Sequence, residues 1–232
     1  MSAFTLKLIA IAAMFIDHFA HVFEGRLLDD LVPAMRAAGR MAFPIFVYFI
    51  GEGFRRTGSV QWYLLRLGVF AIISEVPFDI MLYSHTYPEA FTWFSLRHQN
   101  VLFTLFLGVL AADFYQNTFS KKAYALLIPL PFVLAMFVQA DFGLLGTMLV
   151  FLCAITESSK MLRLAFLFGG GVILYFAHDY SHMLIAGYVC ALVLLMFYNE
   201  EQGPRIKWAF YAFYPLHMLA LFGMLVIYEA LV

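Results

Sequence analysis

Charged residues are scarce in this sequence of 232 residues: Asp, Glu, Lys and Arg make up 12% of it, whereas 64% is hydrophobic. An ordinary soluble domain is about 25% charged and about 45–50% apolar. A soluble chain as apolar as this one would have too little polar surface to cover its core. The same scarcity excludes a disordered chain and a coiled coil, because both need many charged or polar residues.

A basic excess is also absent, since 14 Lys and Arg face 15 Asp and Glu. Nucleic-acid binding is therefore not expected. The two cysteines, Cys153 and Cys190, lie in apolar segments and are interpreted as packing residues rather than as a disulfide. The soluble-enzyme motifs GxSxG, GxxxxGK[ST], HExxH and CxxC do not occur. No internal repeat or linker is visible, so residues 1–232 are predicted to form one domain.

Long apolar runs are what the sequence does contain. A membrane-spanning helix needs about 20 residues, and barrel strands alternate apolar and polar residues, unlike the continuously apolar residues 101–112. The predicted fold is therefore all-α: a polytopic integral membrane helical bundle of about nine transmembrane helices. The pair 123–138 and 142–156 also allows one broken hairpin. The nine runs are about 4–23, 37–54, 63–82, 99–115, 123–138, 142–156, 162–177, 183–198 and 207–230.

The basic residues indicate a topology. Cytoplasmic loops of membrane proteins carry an excess of Lys and Arg. With the N-terminus in the cytoplasm, ten basic residues fall inside and four outside. The first run is not interpreted as a signal peptide, because it has no A-x-A pattern and contains Asp17-His18. The inner residues are Lys7, Arg55, Arg56, Arg66, Lys121, Lys122, Lys160, Arg163, Arg205 and Lys207, and the outer ones are Arg26, Arg36, Arg40 and Arg97.

Ionisable residues inside apolar runs are functional candidates by default. His18 lies well inside the first run, and its side chain suits a general base. His21 is three residues further on and shares its helical face. Asp17 points elsewhere on the helix and is predicted to pair with Arg40 of the second run.

The second and last runs contain helix-perturbing residues. Pro44 permits a kink, and Gly51 and Gly53 allow a close approach of backbone or ligand near the cytoplasmic end. In the last run, Pro215 beside His217 suggests a kinked helix that lines a cavity.

The stretch from Glu52 to Arg66 gives two open interpretations. Together with Arg55 and Arg56, Arg66 forms either a phosphate-binding mouth or an ordinary positive-inside anchor. His178 and His182 have a spacing that can bind a metal, but the sequence fixes no third ligand, so no metal site is predicted.

One ordered set of motifs runs along nearly the whole chain. It comprises LKLIA at 6–10, MFIDH at 14–18, GRMAFPIF at 39–46 continuing to EGF at 52–54, RRTG at 55–58, YLLRL at 63–67, NVLFTL at 100–105, DFG at 141–143 and FYAFYPLH at 210–217. This set resembles the TraX family, which is related to the wider superfamily of transmembrane acyltransferases. The sequence departs from the family pattern at Phe142, where Tyr is expected, and at Glu200, where Gly is expected.

The resemblance implies an acetyltransferase of the bacterial inner membrane that takes acetyl-CoA, as co-substrate, from the cytoplasm. The acceptor is an amine or hydroxyl at the outer side, such as a pilin N-terminus, although a peptide, glycan or lipid acceptor stays open. His18 matches the histidine that serves transfer, directly or through an acetyl-histidine, and Arg40 or Asn100 is expected to stabilise the oxyanion. The expected catalytic residues are His18, Asp17, Arg40 and Asn100. The expected cofactor-binding residues are Arg55, Arg56, Arg66, Glu52, Lys121, Lys122, Tyr214 and His217.

Two other functions fit the same residues. The first is a proton- or ion-coupled transporter, in which a relay is formed by Asp17, His18, Glu75 and His217, although the internal repeat common in transporters is missing. The second is a non-catalytic assembly factor for a pilus or envelope system, whose buried charges serve only helix packing.

Overall fold

The computed structural model describes residues 1–27, 29–86, 98–157, 159–177, 182–204 and 206–232. These residues are almost entirely helical, as predicted, and an isolated bridge is the only extended pairing among them. Short 3-10 turns precede α2 and α6. The helices are α1 (Ala3–Phe23), α2 (Val32–Gly39), α3 (Ala42–Arg56), α4 (Val60–Thr86), α5 (Val101–Asn117), α6 (Pro129–Phe137), α7 (Gly143–Ile155), α8 (Lys160–Ala177), α9 (His182–Met196) and α10 (Lys207–Leu231).

The second predicted run, 37–54, is divided in the structure. Helix α2 ends at Gly39 and α3 begins at Ala42. Pro44 does not interrupt a helix, because it is the third residue of α3 and lies in its first turn. Backbone N–H groups in a first turn have no partner within the helix, so proline is tolerated there. The described residues consequently hold ten α-helices where about nine were predicted.

Helices α6 and α7 form the broken hairpin that the sequence allowed. They have 9 and 13 residues, fewer than the roughly 20 needed to cross a bilayer. The turn between them has left-handed backbone at Gln139 and Phe142. This turn is held by the segment before α5, since Gln99 donates its backbone N–H to Gln139 and accepts one from Asp141.

The chain divides into two compact units by its internal contacts, and the division runs through α3, α4 and α8. The first unit comprises Met1–Phe46, Val76–Trp93 and Gly171–Val232, and the second Val47–Glu75 and Phe94–Gly170. In the first unit α1 packs against α2 and α10, and α2 packs against α9. In the second unit α5 packs against both helices of the hairpin.

Glycines allow close helix contacts within each unit. In the first unit, a Cβ added at Gly187 of α9 would lie 1.7 Å from the carbonyl oxygen of Ala37 in α2. In the second unit, a Cβ at Gly51 of α3 would lie 2.7 Å from the carbonyl carbon of Cys153 in α7. The structure therefore contains the close backbone approach that Gly51 allows.

Among the described residues, many large apolar side chains are exposed and several polar side chains are buried. Two helices, α1 and α10, are long and apolar enough to cross a membrane by length and composition. Large apolar side chains are exposed on most helices, and several polar side chains are fully or almost fully buried. The buried polar residues are Asp17, Glu52, Ser74, Glu75, Asp79, Gln99, Asn100, Thr104, Thr147, Arg163 and His217.

Candidate functional site

Asp17 of α1 is held by two arginines in the first unit. Both carboxylate oxygens accept hydrogen bonds from Nη2 of Arg40, at 2.9 and 2.8 Å. Nη1 of Arg36 lies 3.0 Å from Oδ1 of the same carboxylate. The predicted pairing of Asp17 with Arg40 is confirmed. Because one carboxylate faces two guanidinium groups, Asp17, Arg36 and Arg40 together carry one excess positive charge.

A glycine makes this ion pair possible. Gly39 of α2 precedes Arg40 and lies against Asp17, where an added Cβ would come within 2.2 Å of the Asp17 Cβ. Only glycine lets α2 approach α1 so closely. Arg36 was not singled out in the sequence, although its spacing of four residues from Arg40 places both on one face of a helix.

His18 contacts a second histidine. Its Nδ1 lies 2.7 Å from Nε2 of His217 in α10, and the two ring planes differ by 8°. Nδ1 of His217 lies 2.8 Å from the carbonyl oxygen of Phe213. Nε2 of His18 has no hydrogen-bond partner among the described residues. His18 is only partly buried, whereas His217 is 3% exposed.

His217 and Tyr214 were expected to bind the cofactor. The structure places both in the first unit with His18: the ring of Tyr214 lies 5.7 Å from that of His217. The contact between His18 and His217 joins residues 199 positions apart. Sequence spacing gives no signal for such a contact.

Asn100, an expected oxyanion ligand, belongs to the second unit and has a full set of hydrogen bonds there. Its side-chain oxygen accepts from the backbone N–H of Leu102 at 3.0 Å and so caps α5. Its side-chain nitrogen donates to the carbonyl of Ala71 at 2.9 Å and to the carboxylate of Glu75. Asn100 itself is fully buried. This arrangement gives Asn100 a clear structural role, and its part in catalysis stays a prediction.

The expected cofactor-binding arginines are held in three different ways within the second unit. Arg55 donates to the backbone carbonyls of Cys153 and Ala154 at the end of α7. Nε of Arg56 lies 2.8 Å from a carboxylate oxygen of Glu52. The guanidinium of Arg66 lies 5.8 Å from the ring centre of Tyr63, and its buried Nε has no hydrogen-bond partner.

The remaining basic residues of the second unit differ in exposure. Lys121 and Lys122 are exposed beside a 3-10 turn. Arg163, which was not a predicted site residue, is 7% exposed. Its Nη2 donates to the hydroxyl of Tyr48 at 3.1 Å and its Nη1 donates to the carbonyl of Thr156 at 3.1 Å. Its burial could not be read from the sequence, because Arg163 follows Lys160 near the start of an apolar run.

No group of three or more His, Cys, Asp or Glu side chains suited to a metal occurs in the described residues. The metal-binding spacing of His178 and His182 cannot be assessed in the structure, since His178 lies outside the described residues. His182 is bonded through Nε2 to the hydroxyl of Tyr175 at 3.0 Å.

Comparison with known proteins agrees with the motif order. The family described as TraX protein matches residues 2–225. The chain belongs to the TraX family. This TraX-family chain is 31% identical over 236 residues to the probable fimbrial assembly protein FimC, serogroup H1, of Dichelobacter nodosus, covering 95% of this chain and 94% of that protein. No solved structure matches it.

For a TraX-family chain, the geometry separates two kinds of polar group. The first unit holds an imidazole with an open nitrogen beside an excess positive charge. The second unit holds a set of arginines, of which Arg66 and Arg163 each keep a buried Nε without a partner. An imidazole of the first kind can accept a proton, and guanidinium groups of the second kind can bind phosphate.

Proposed function

We propose that this protein is an integral membrane acetyltransferase that moves an acetyl group from cytoplasmic acetyl-CoA to an amine or hydroxyl acceptor at the outer side of the membrane. The observation that carries the proposal is the geometry of His18. Its Nδ1 is bonded to His217, and its Nε2 has no partner among the described residues. Membership of the TraX family supports the same function.

The chemistry requires one base and one positive group. Nε2 of His18 takes the proton of the acceptor as its nitrogen or oxygen attacks the thioester carbonyl carbon. The new C–N or C–O bond forms, the C–S bond breaks, and the proton passes to the leaving CoA thiolate. Arg40, with Arg36 beside it, stabilises the oxyanion, because the pair carries one more positive charge than Asp17 neutralises.

We propose as cofactor-binding residues only the expected ones of the second unit, because His217 is hydrogen-bonded to His18 instead and Tyr214 lies beside it. Phosphate groups are bound well by arginine. Arg66 is the best placed of them, since its Nε is buried and lacks a partner. Arg55 and Arg56 are occupied by carbonyl groups of α7 and by Glu52, and Lys121 and Lys122 contribute from an exposed turn.

The distribution of burial supports a bilayer-embedded protein with several spans. On α4, the exposed apolar residues recur along one face of the helix, as expected for contact with lipid. Polar side chains such as Glu75 and Asp79 are fully buried instead. A soluble protein shows the opposite pattern. We place the N-terminus in the cytoplasm, because ten of the 14 basic residues then lie inside. The exposed face of α4 consists of Trp62, Leu65, Val69, Ile72, Ile73 and Val76.

Acetyl-CoA binding tests the proposal first. Calorimetric titration of the purified protein in nanodiscs should show binding that Arg66→Ala weakens about tenfold and that His18→Ala leaves intact. Arg26→Ala is the matched control, because Arg26 pairs with Glu229 in the first unit and should not alter binding. Folded protein that binds no acetyl-CoA would defeat the proposal.

Transfer is the second test, with a fimbrial subunit as acceptor because the relative from Dichelobacter nodosus is named as a probable fimbrial assembly protein. Intact-mass spectrometry should show one added acetyl group on subunits incubated with the protein and acetyl-CoA. His18→Ala should abolish the addition, whereas His182→Gln should keep it.

A non-catalytic role in assembly is the second candidate, and the name of the same relative favours it. It predicts that fimbriae fail to assemble without the protein while their subunits carry no acetyl group in its presence. It also predicts that His18→Ala lowers the stability of the protein without changing the mass of any subunit.

A further inference from the structure

The hydrogen bonds around His217 fix the position of its proton. The carbonyl oxygen of Phe213 carries no hydrogen and can only accept, so at 2.8 Å the hydrogen must reside on Nδ1 of His217. A neutral imidazole carries one hydrogen. Nε2 of a neutral His217 is therefore an acceptor.

The position of the proton on His18 follows from the same rule. Nε2 of His217 accepts, so Nδ1 of His18, 2.7 Å away, must donate. A neutral His18 that carries its hydrogen on Nδ1 has its lone pair on Nε2. That is the nitrogen without a partner among the described residues. A free histidine side chain prefers the opposite tautomer, with the hydrogen on Nε2.

We infer that His217 is a positioning residue that holds His18 in its Nδ1–H tautomer, so that the lone pair of Nε2 faces the acceptor. The inference rests on the proposed function, because it names the atom of His18 that accepts the proton and the proposed function makes His18 the base. It adds a chain of two hydrogen bonds, from His18 through His217 to the backbone of α10. A base whose ring is oriented by a second group is a recurring arrangement in enzymes.

The arrangement also accounts for the proton during transfer. When Nε2 of His18 takes a proton, the ring becomes an imidazolium that still donates from Nδ1 to the neutral His217. The hydrogen bond is then charge-assisted and stronger. His217 holds the ring in place and stabilises the charge, and it does not need to touch either substrate.

Nuclear magnetic resonance of the histidine nitrogens tests the inference directly. The full-length protein, labelled with 15N-histidine and reconstituted in nanodiscs, is compared with His18→Gln to assign the His18 signals. We expect neutral His18 to show a protonated Nδ1 and an unprotonated Nε2. A His18 with its hydrogen on Nε2 in the unmodified protein would overturn the inference without any variant being needed.

Two substitutions at His217 sharpen the test. His217→Leu removes the acceptor and should return His18 to the Nε2–H tautomer. His217→Gln keeps a side-chain oxygen that can accept and an amide nitrogen that can donate to Phe213, so it should retain the Nδ1–H tautomer. An unchanged His18 spectrum in folded His217→Leu would overturn the inference.

Transfer kinetics separate this inference from the proposed function. His217→Leu should lower kcat about 100-fold with acetyl-CoA affinity unchanged, and His217→Gln should restore most of the loss. If the unmodified protein shows the Nδ1–H tautomer and transfers no acetyl group, the positioning inference holds and the proposed function fails. If it transfers acetyl groups while His18 is in the Nε2–H form, the proposed function holds and the positioning inference fails.

Discussion

In the first unit, buried and half-buried charges bind one another, since Asp17 accepts hydrogen bonds from Arg40 and lies against Arg36. In the second unit, Arg55 and Arg163 donate instead to backbone carbonyls at and just beyond the end of α7. The last carbonyls of a helix have no partner within it and carry partial negative charge. An arginine that caps a helix end resembles a ligand-binding arginine in sequence. The two units therefore show that basic residues near one another in sequence can be told apart as structural or ligand-binding only from what each guanidinium already contacts.

Asp17→Asn should have the largest effect on stability, because it leaves two guanidinium groups without their counter-charge. We expect the free energy of unfolding to fall by about 3 kcal/mol, measured by denaturation of the protein in detergent. Glu52→Gln is the comparison in the second unit. It should cost less, since the partner Arg56 has a side chain 47% exposed and water can solvate it. Equal losses in the two variants would contradict the contrast between the units.

Arg163→Met should have the next largest effect. The substitution removes hydrogen bonds to Tyr48 and Thr156, and we expect a loss of about 2 kcal/mol in the free energy of unfolding. Lys121→Met, at an exposed position, should change stability by less than about 0.5 kcal/mol. A stable Arg163→Met variant that no longer binds acetyl-CoA would instead make Arg163 a ligand-binding residue.

The pH dependence of transfer tests the histidine pair of the first unit. If His217 takes up a proton, both of its ring nitrogens carry hydrogen, and its Nε2 then donates to Nδ1 of His18. The hydrogen of His18 must then lie on Nε2, so that this nitrogen can no longer accept a proton. If Nε2 of His18 itself takes up the proton, the base has no lone pair left. The rate should therefore rise with pH as the pair loses this proton, by about tenfold per unit on the acid side (about 1.4 kcal/mol per unit), in initial-rate measurements at saturating acetyl-CoA. A rate that does not fall with acid at any pH at which the protein stays folded would contradict a base at His18. Among the described residues, the other charged or titratable groups near the pair are Asp17 and His21 on α1, Arg36 on α2, Arg40 just after α2, and Tyr214 on α10.

Gly169→Ala should have the smallest effect, and of opposite sign. An added Cβ at Gly169 of α8 meets nothing within 4 Å, whereas at Gly170 it would lie 2.5 Å from Cδ1 of Leu149. Alanine in a helix is favoured over glycine by about 0.5–1 kcal/mol, so Gly169→Ala should raise the thermal midpoint. Gly170→Ala is the neighbouring control and should give no gain. A loss of stability in Gly169→Ala would show an unexpected contact at this position.

The sequence predicted most helix positions, because apolar runs and polar breaks mark them. The runs 4–23 and 207–230 correspond closely to α1 and α10. The division between α2 and α3 was missed, since only Arg40 and Met41 interrupt the helix while hydrophobic residues continue on both sides. Hydropathy does not register a break in backbone hydrogen bonding.

The candidate site was predictable in part. Opposite charges in neighbouring runs indicated the pair of Asp17 and Arg40, because an unpaired charge in an apolar run is costly. The bond between His18 and His217 depends on how α1 packs against α10, and no local pattern encodes that packing. The burial of Arg163 likewise depends on where α7 ends relative to α8.

The contact at Gly187 makes the positions of Arg36 and Arg40 depend on α9, a helix that contributes no residue to their ion pair with Asp17. Ala37, whose carbonyl oxygen meets Gly187, follows Arg36 on α2, and Arg40 caps the end of the same helix. A larger side chain at Gly187 would push α2 away and would shift both cations with it as one body. A genetic screen for lost function should therefore recover substitutions at Gly187, a residue of α9 with no ionisable group, alongside those at His18. Such alleles would be suppressed by changes that let α2 return, and no change in the chemistry at His18 would suppress them.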